Sequence, residues 1–361
     1  LDEIWVSAGT YIPNRRADAI NVITVNDRRN AFVLKTGVKI YGGFTGVITE
    51  TLLSQRNYTA NVTILSGDIT GTNCYHVVIA AGAASNGLLD GFTVSNGYAD
   101  INSGNITVNG SVIVASRGAG IYITVSSPSI QNCIITSNSA FNGISVGGAG
   151  ILCGSTASPV ITNCTISNNN TVNGTGSNMS GAGMYLASAT ATVSNCNFNN
   201  NIAAGEGGGL YVGTTVTSGI TNCNFTGNSS AVNGGGLCNY STIAINITGC
   251  DFTSNSSPYG AGLYNQTASP VISNCNFLSN TASSGGGGMR NYATASPTVN
   301  NCVFSGNTGG TYGGGMYNSS TSAPAVTNCL FSGNTATNGG GIANDITSNA
   351  VIAVPDGASF F

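Results

Sequence analysis

Charge is what this chain has least of. Asp, Glu, Lys and Arg make up 6% of its 361 residues, against about a quarter of an ordinary globular chain. Nine basic residues and a net charge of −3 leave no patch able to neutralise a phosphate backbone, so nucleic acid is excluded as a partner. A single histidine, His76, and the lack of any Cys-x-x-Cys pair rule out a Cys/His zinc site of ordinary spacing. No metal or other cofactor is implied. Runs of about 18 apolar residues are missing, so no transmembrane segment is expected. No charged-then-apolar leader opens the chain, and any targeting signal was removed or lies outside this stretch. No stretch keeps a 3.6-residue apolar period, which leaves helix out. What remains is a 41% hydrophobic composition, enough for a large core under a surface of hydroxyls and amides, and the opposite of a disordered chain.

The few charges crowd toward one end. Only Glu206, Asp251, Arg290, Asp345 and Asp356 follow Gly118. Residues 1–117 therefore read as irregular coils and 118–361 as regular repeats of one continuous solenoid domain.

The repeat is set out by cysteine. Cys133, Cys164, Cys196, Cys223, Cys250, Cys275, Cys302 and Cys329 recur every 25 to 32 residues, mostly every 27. Most follow an Asn, as in Asn195-Cys196-Asn197-Phe198, and each is followed five residues on by another Asn: 138, 169, 201, 228, 255, 280, 307 and 334. A glycine cluster then leads into one apolar residue, as in Gly236-Leu237 and Gly315-Met316. Pro128, Pro159, Pro270, Pro297 and Pro324 stand five residues before a repeat cysteine. Short apolar alternations bounded by Gly, Asn, Ser and Thr are strand and turn signals. Three short strands and three turns fit each repeat, and stacking the repeats pairs strand on strand. The expected fold is all-β, a parallel β-helix of about eleven coils, about 27 residues each. Cys and Phe would point inward from one strand, the apolar residue after the glycines from the next, and the Val or Ile three before the Cys from the third. The recurrent Asn is expected at left-handed bends, with amide ladders between coils. Asp90–Asn96 reads as an earlier repeat with Phe92 in the cysteine slot, and Ala31–Phe44, Val62–Asp68 and His76–Ala80 supply further strands.

The Phe-x-x-Asn units (198/201 through 331/334) alternating with Gly-Gly-[Gly/Ala]-[Leu/Met/Ile] resemble the repeats of chlamydial polymorphic outer-membrane proteins. More broadly the chain resembles the pectin-lyase-like, right-handed β-helix proteins secreted by Bacteroidota, whose first coil is similar to Asp2–Tyr11 and Phe32–Gly43. The resemblance implies a right-handed coil and export to the outside or outer surface of a Gram-negative bacterium. Relatives carry a capping helix before this point and a sorting domain after it, so the stretch looks like an excised middle, with end-to-end self-association open to its uncapped strand edges.

Eight cysteines on one ladder position are read as buried, inert thiols. Cys74, Cys153 and Cys238 fall off the ladder and are the candidates for reaction or bridging. Catalysis is not expected. Paired carboxylates for glycoside hydrolysis, or a base beside calcium-binding acids, are the requirements of a polysaccharide-active enzyme. Glu206 and Asp251 fall at different repeat positions, and Asp68, Asp90, Asp100 and Arg117 lie in the irregular part. A polysaccharide lyase or hydrolase, or its inactive descendant, is the alternative.

Two features point to a partner such as a glycan or another surface protein. From the post-Cys Asn to the last glycine of the cluster, the chain takes 12 residues (138 to 150) and 14 (169 to 183), then 7 or 8 in later coils. The extra length, at 98–117, 139–147 and 170–180, enters at one position of successive coils and should project from one edge, with Tyr98, Asp100 and Arg117 on it. Such loops carry binding or merely tolerated insertions. The second feature is Tyr122, Tyr185, Tyr211, Tyr264 and Tyr317, each following the apolar slot and so facing outward. They would stack on sugar rings or pack across coils. A hydroxyl row two before the Cys (Thr162, Ser194, Thr221, Thr248, Ser273, Thr327), broken at Asn300, permits an ice-binding alternative. The reading that follows is an exported structural or adhesive β-helix protein that recognises glycans or surfaces through its loop edge.

Overall fold

A computed structural model describes residues 2–82, 87–101, 103–141, 146–171 and 179–353. The described residues hold one short 3-10 turn, Leu53–Gln55, and otherwise strands and turns. None of their helices is long and apolar enough to cross a membrane. The chain divides into two compact units, 1–192 and 193–361.

In the second unit six coils repeat three strand positions. The first position is typified by Asn246–Thr248, the second by Asp251–Thr253 and the third by Leu263–Asn265. Each pairs in parallel with the same position of the next coil, so that Ile247 meets Ile272, Phe252 meets Phe277 and Leu263 meets Met289. Three-residue strands bury their middle residue at the first two positions, because side chains alternate between faces and only one of three can point in. At the third position the first and third residues are inward. Inside, the rings of Phe198, Phe225, Phe252, Phe277, Phe304 and Phe331 stack with centroids 4.6–4.8 Å apart and planes within 5° of parallel. That is the strand spacing of a sheet. Most of the inward residues expected from the sequence are there: Ile220, Ile247, Ile272 and Val299 three before their cysteines, and Leu237, Leu263, Met289 and Met316 after the glycines, are fully buried, while Cys329, Phe331 and Ile342 of the last coil are half-buried. Those glycines are needed for packing: a Cβ on Gly236 would lie 2.6 Å from the Gly262 carbonyl oxygen and 3.1 Å from the Phe252 ring.

The asparagines divide their labour differently from the expectation. Left-handed bends fall to the Asn before each cysteine, with φ of 49–54° at Asn132, Asn163, Asn195, Asn222, Asn274, Asn301 and Asn328; Gly249 fills that place at φ 64°, where glycine is unstrained. The Asn five after the cysteine is fully buried from Asn138 to Asn307, half-buried at Asn334, and makes the ladder. At Asn138 and from Asn201 to Asn307 its backbone N–H and side-chain amide donate to Oδ1 of the next coil's Asn, as Asn228 does to Asn255 at 3.0 Å and Asn255 to Asn280 at 3.0 Å. Ordinary inward apolar residues cannot satisfy that turn; a carboxamide, with donor and acceptor at one tip, can.

The first unit stacks five coils on the same plan, including Thr63–Ser66, Phe92–Ser95, Ile134–Thr136 and Thr165–Ser167 at the second position. Thr93 pairs with Ile134, which sets Phe92 in the cysteine slot. Its charges are neutralised locally: Arg56 meets Asp90 at 2.9 Å in a nearly buried pair, and Arg28 meets Asp100 at 2.9 Å. His76 is buried, with Nδ1 3.0 Å from the Gly118 carbonyl oxygen, so the neutral ring donates from Nδ1. Burial pulls its pKa down to about 4 from 6.5, against a smaller upward pull from the Gly118 bond. The unfolded chain therefore binds the proton first. The stability that the neutral ring confers is complete above pH 6.5 and is lost as pH falls from there to about 4, a loss of up to about 3 kcal/mol. Urea midpoints between pH 7 and 4 should fall for the native chain and stay flatter for His76→Gln. The carboxylates of Asp18 and Asp27, held low by hydrogen bonds from Arg16 and Arg29, act only below that window.

Candidate binding surface

The outward row of the third strand position differs between the units. In the first it runs Ile79, Tyr122, Leu152, Tyr185 in register. These residues would be exposed on a bare coil, yet Ile79, Tyr122 and Leu152 are 0, 5 and 2% exposed. The cover is the insertion itself. Residues Ile106–Val108 and Ser111–Ile113 form an antiparallel hairpin, and Ile106, Val108 and Ile113 pack with Ala17 and Ala31 on Tyr122 and Leu152. The stretch 98–117 thus departs from a wholly projecting loop, because its own alternating apolar residues need a surface to bury. Tyr122 is enclosed, with its ring edge-on to His76 at 5.2 Å. Tyr185 is half-buried at the margin of the same cluster.

Tyr98 and Asp100 are brought together by Arg28. Its guanidinium lies 4.3 Å from the Tyr75 ring centroid and 5.8 Å from that of Tyr98, and donates to the Tyr98 carbonyl at 2.9 Å. Tyr98 also stacks on Phe141 at 6.4 Å, and Ser139–Ala140 pairs in parallel with Tyr98–Ala99. Arg117 is half-buried, with its Nε lacking a hydrogen-bond partner among the described residues. Of the three expected loops, residues 102, 142–145 and 172–178 lie outside the described residues.

In the second unit the outward row is Tyr211, Cys238, Tyr264, Arg290, Tyr317, Ala343. Sequence reasoning did not single out its companions. Tyr240 and Tyr292 stand one residue past each third-position strand, and Tyr259 and Tyr312 come from the segment before the glycine cluster. Together they give a run of one ring per coil: Tyr211 to Tyr240 at 5.5 Å, Tyr240 to Tyr264 at 6.3 Å, Tyr264 to Tyr292 at 6.5 Å. Tyr264 is the floor at 3% exposure, and Tyr312 is the most open at 41%; the others are half-buried. At one end Glu206 Oε1 accepts from the Tyr240 hydroxyl and from Asn233 Nδ2, both at 2.7 Å. Burial, with Cys238 and Glu206 nearby, pushes the Tyr240 phenol well up, so it stays a donor. At the other end Arg290 lies among rings, 3.9 Å from the centroid of Tyr259, 4.9 Å from Tyr292 and 5.2 Å from Tyr317.

This row is anchored by a second buried amide ladder that the cysteine frame did not announce. Asn239, Asn265, Asn291 and Asn318 are buried and each donates its amide to Oδ1 of the next, at 2.8–3.2 Å, the last to the exposed Asn344. The signal was available, since an Asn stands two residues after the apolar slot in five successive coils.

The remaining candidates are dispersed. Asp90 is bound by Arg56 and by Asn132 Nδ2 at 2.8 Å, beside a groove of about 280 Å³ lined by Tyr58, Val62, Phe92, Cys133 and Ile134. Asp251 accepts from Asn276 at 2.7 Å. Groups of three or more potential metal ligands are absent among the described residues. The ladder cysteines are buried apart from the half-buried Cys329, and their thiols lie near carbonyls, as Cys223 Sγ does 3.3 Å from the Thr221 oxygen. Cys74, Cys153 and Cys238, the candidates for reaction or bridging, are free and fully buried. Burial pushes the Cys74 thiol up to about 12, which withholds the thiolate that reaction requires. In the hydroxyl row, Thr248 and Ser273 bond each other at 3.2 Å and Thr327 donates to Asn300 at 3.0 Å, so these groups are partly satisfied within the protein.

Set beside known proteins, residues 149–336 match the family described as "Right handed beta helix region". No curated protein matches the chain. Among solved structures it is similar to the catalytic domain of GH87 alpha-1,3-glucanase in complex with nigerose, at 12% identity and a TM-score of 0.37, over 99% of this chain and 64% of that one. The chain thus spans under two thirds of the glucanase domain's length. It is also similar to PfbA, a surface adhesin of Streptococcus pneumoniae, at 9% identity and a TM-score of 0.23, over 97% and 85% of the two chains. Parallel strand positions in register, inward Phe and Asn ladders, and a family match over more than half its length make one assignment: this chain belongs to the right-handed β-helix family.

Proposed function

We propose that this protein has a structural or adhesive role on the outside of a cell, and that it binds glycans through the tyrosine face of its second unit. The observation that carries the reading is the run Tyr211, Tyr240, Tyr264, Tyr292, one ring per coil at 5.5–6.5 Å. The coil spacing of roughly 4.8 Å is close to the advance of one sugar ring in an extended polysaccharide. Tyrosine offers a flat apolar face for sugar C–H groups and a hydroxyl for their oxygens. Bound to such a surface, a neutral polymer loses little hydration to charged groups, and the second unit has few.

A glycan array tests this. Signal should drop at least about tenfold for Tyr211→Ala/Tyr292→Ala, with the far-ultraviolet spectrum unchanged. It should persist when 139–147 and 170–180 are shortened to the length of later coils. The opposite pattern would move the site to the loop edge of the first unit, a second reading favoured by the Tyr98–Phe141 ring pair beside Arg28. Polymer cleavage abolished by Asp90→Asn would instead support the enzyme alternative.

A further inference from the structure

Resting on the glycan reading, we propose that Arg290 is an acid-accepting subsite, and that the ligand is an otherwise neutral glycan bearing a single carboxylate or sulfate. Four of the six arginines of the first unit are matched to carboxylates: Arg16 to Asp18 at 2.6 Å, Arg28 to Asp100 at 2.9 Å, Arg29 to Asp27 at 2.8 Å and Arg56 to Asp90 at 2.9 Å; Arg15 donates to the Ile20 carbonyl and Arg117 Nε has no partner among the described residues. Arg290 is the one cation of the second unit, and it joins no ion pair among the described residues. Its guanidinium is held in place by rings instead, 3.9 Å from Tyr259 and 5.2 Å from Tyr317. Its hydrogen bonds to Ser319 Oγ are 3.3 and 3.4 Å, long for a charged donor. The planar fork thus keeps most of its donors for a bidentate oxyanion.

The place is shaped as well as charged. Gly285 stands between Tyr259 and Tyr312 in the register of their coils. A Cβ there would be 2.8 Å from the Tyr317 ring. The Tyr317 ring takes that place and lies against the backbone, so the half-buried Arg290 is walled by aromatic carbon, where an ion pair is stronger than in open water. The number of charges sets the ligand's. A polyuronate would present an anion at every sugar, but this face offers one cation and two anions: Glu206, three coils away at roughly 14 Å by the sheet spacing, and Asp345, at the repeat position of Tyr240 and Tyr292 and already bound by Ser320, Thr347 and Ser348. One acid at Arg290, with sugar hydroxyls over the tyrosines and near Glu206, matches one cation beside two carboxylates.

The test uses an array of neutral oligosaccharides, each printed beside counterparts carrying one carboxylate or one sulfate, with polygalacturonate as the polyanion. The expected result is about tenfold stronger retention of a singly acidic probe than of its neutral parent. That preference should vanish in Arg290→Gln and survive in part in Arg290→Lys, with melting temperature reporting the fold of each. The carboxylate and sulfate arms tell which oxyanion is preferred. Neutral and acidic partners bound alike, a preference that survives Arg290→Gln, or polygalacturonate bound best would overturn the subsite; tyrosine-dependent binding of neutral probes would then leave the broader reading standing. Binding of no probe at all would sink both.

Discussion

Phe252→Ala should cost the second unit about 3–5 kcal/mol, the range for emptying an aromatic site in a packed core. Phe252 is fully buried and its ring is stacked at 4.8 Å on Phe225 and on Phe277, so the substitution removes two ring contacts as well as the buried area. Collapse is hard: Gly236 already lets the Phe252 ring approach the neighbouring backbone closely, and the coils above and below are held by parallel ladders. In a stacked repeat each coil touches only its neighbours. Hydrogen exchange should therefore accelerate first in the coils of Phe225, Phe252 and Phe277, with a lowered guanidinium midpoint. A loss under 1 kcal/mol would mean that the phenylalanine column is not the spine of the unit.

A comparable loss, about 3–6 kcal/mol, is expected from Asn255→Ala, although a polar side chain is being removed. Asn255 accepts from the backbone N–H and the amide of Asn228, and donates to the Phe225 carbonyl at 2.8 Å and to Asn280 Oδ1 at 3.0 Å. It has no solvent exposure. Alanine would strand the two Asn228 donors and the Phe225 carbonyl where water does not reach, at about 1–2 kcal/mol each. The half-buried Asn334 makes the same bond to Phe304, at 2.8 Å. There water can substitute, and Asn334→Ala should cost about 1 kcal/mol. Chemical denaturation of the two variants side by side measures the difference; equal losses would contradict a ladder whose strength comes from burial.

The fold was legible because its register is written in single residues. Cysteine, the Asn five after it and the glycine before the apolar slot each recur once per coil, and strand, turn and core follow from their spacing. Phe92 was found in the cysteine slot for the same reason. The candidate surface was legible only in part. Tyr211, Tyr264 and Tyr317 follow the slot directly, so alternation places them outward. Tyr240 and Tyr292 sit one residue past the strand, and Tyr259 and Tyr312 in the connection before the glycines. Which way a turn residue leans depends on the coil above it, and no periodicity encodes that. Arg290 therefore read as a break in the tyrosine row, when its guanidinium lies against four rings. The burial of Tyr122 was hidden for a different reason. An insertion is recognised by its length, whereas the fate of this one was decided by Ile106, Val108 and Ile113, three apolar side chains too far from the repeat to share its rhythm.

The equal register of successive coils has an implication for how such a surface changes. If the 27 residues from Asn224 to Cys250 were excised, Cys223 would precede Asp251, Phe225 would be gone, and Phe198 would face Phe252: a different pair of residues making the same contact. The asparagine of one coil would find an identical asparagine beneath it. Nothing in the interior would register the loss except the count. The tyrosine face would shorten by one ring and with it, on the proposed glycan reading, the stretch of polymer held at once. On that reading, reach and with it grip on a long ligand are set by adding or dropping whole coils, a dial that keeps the Phe and Asn contacts of the interior in kind.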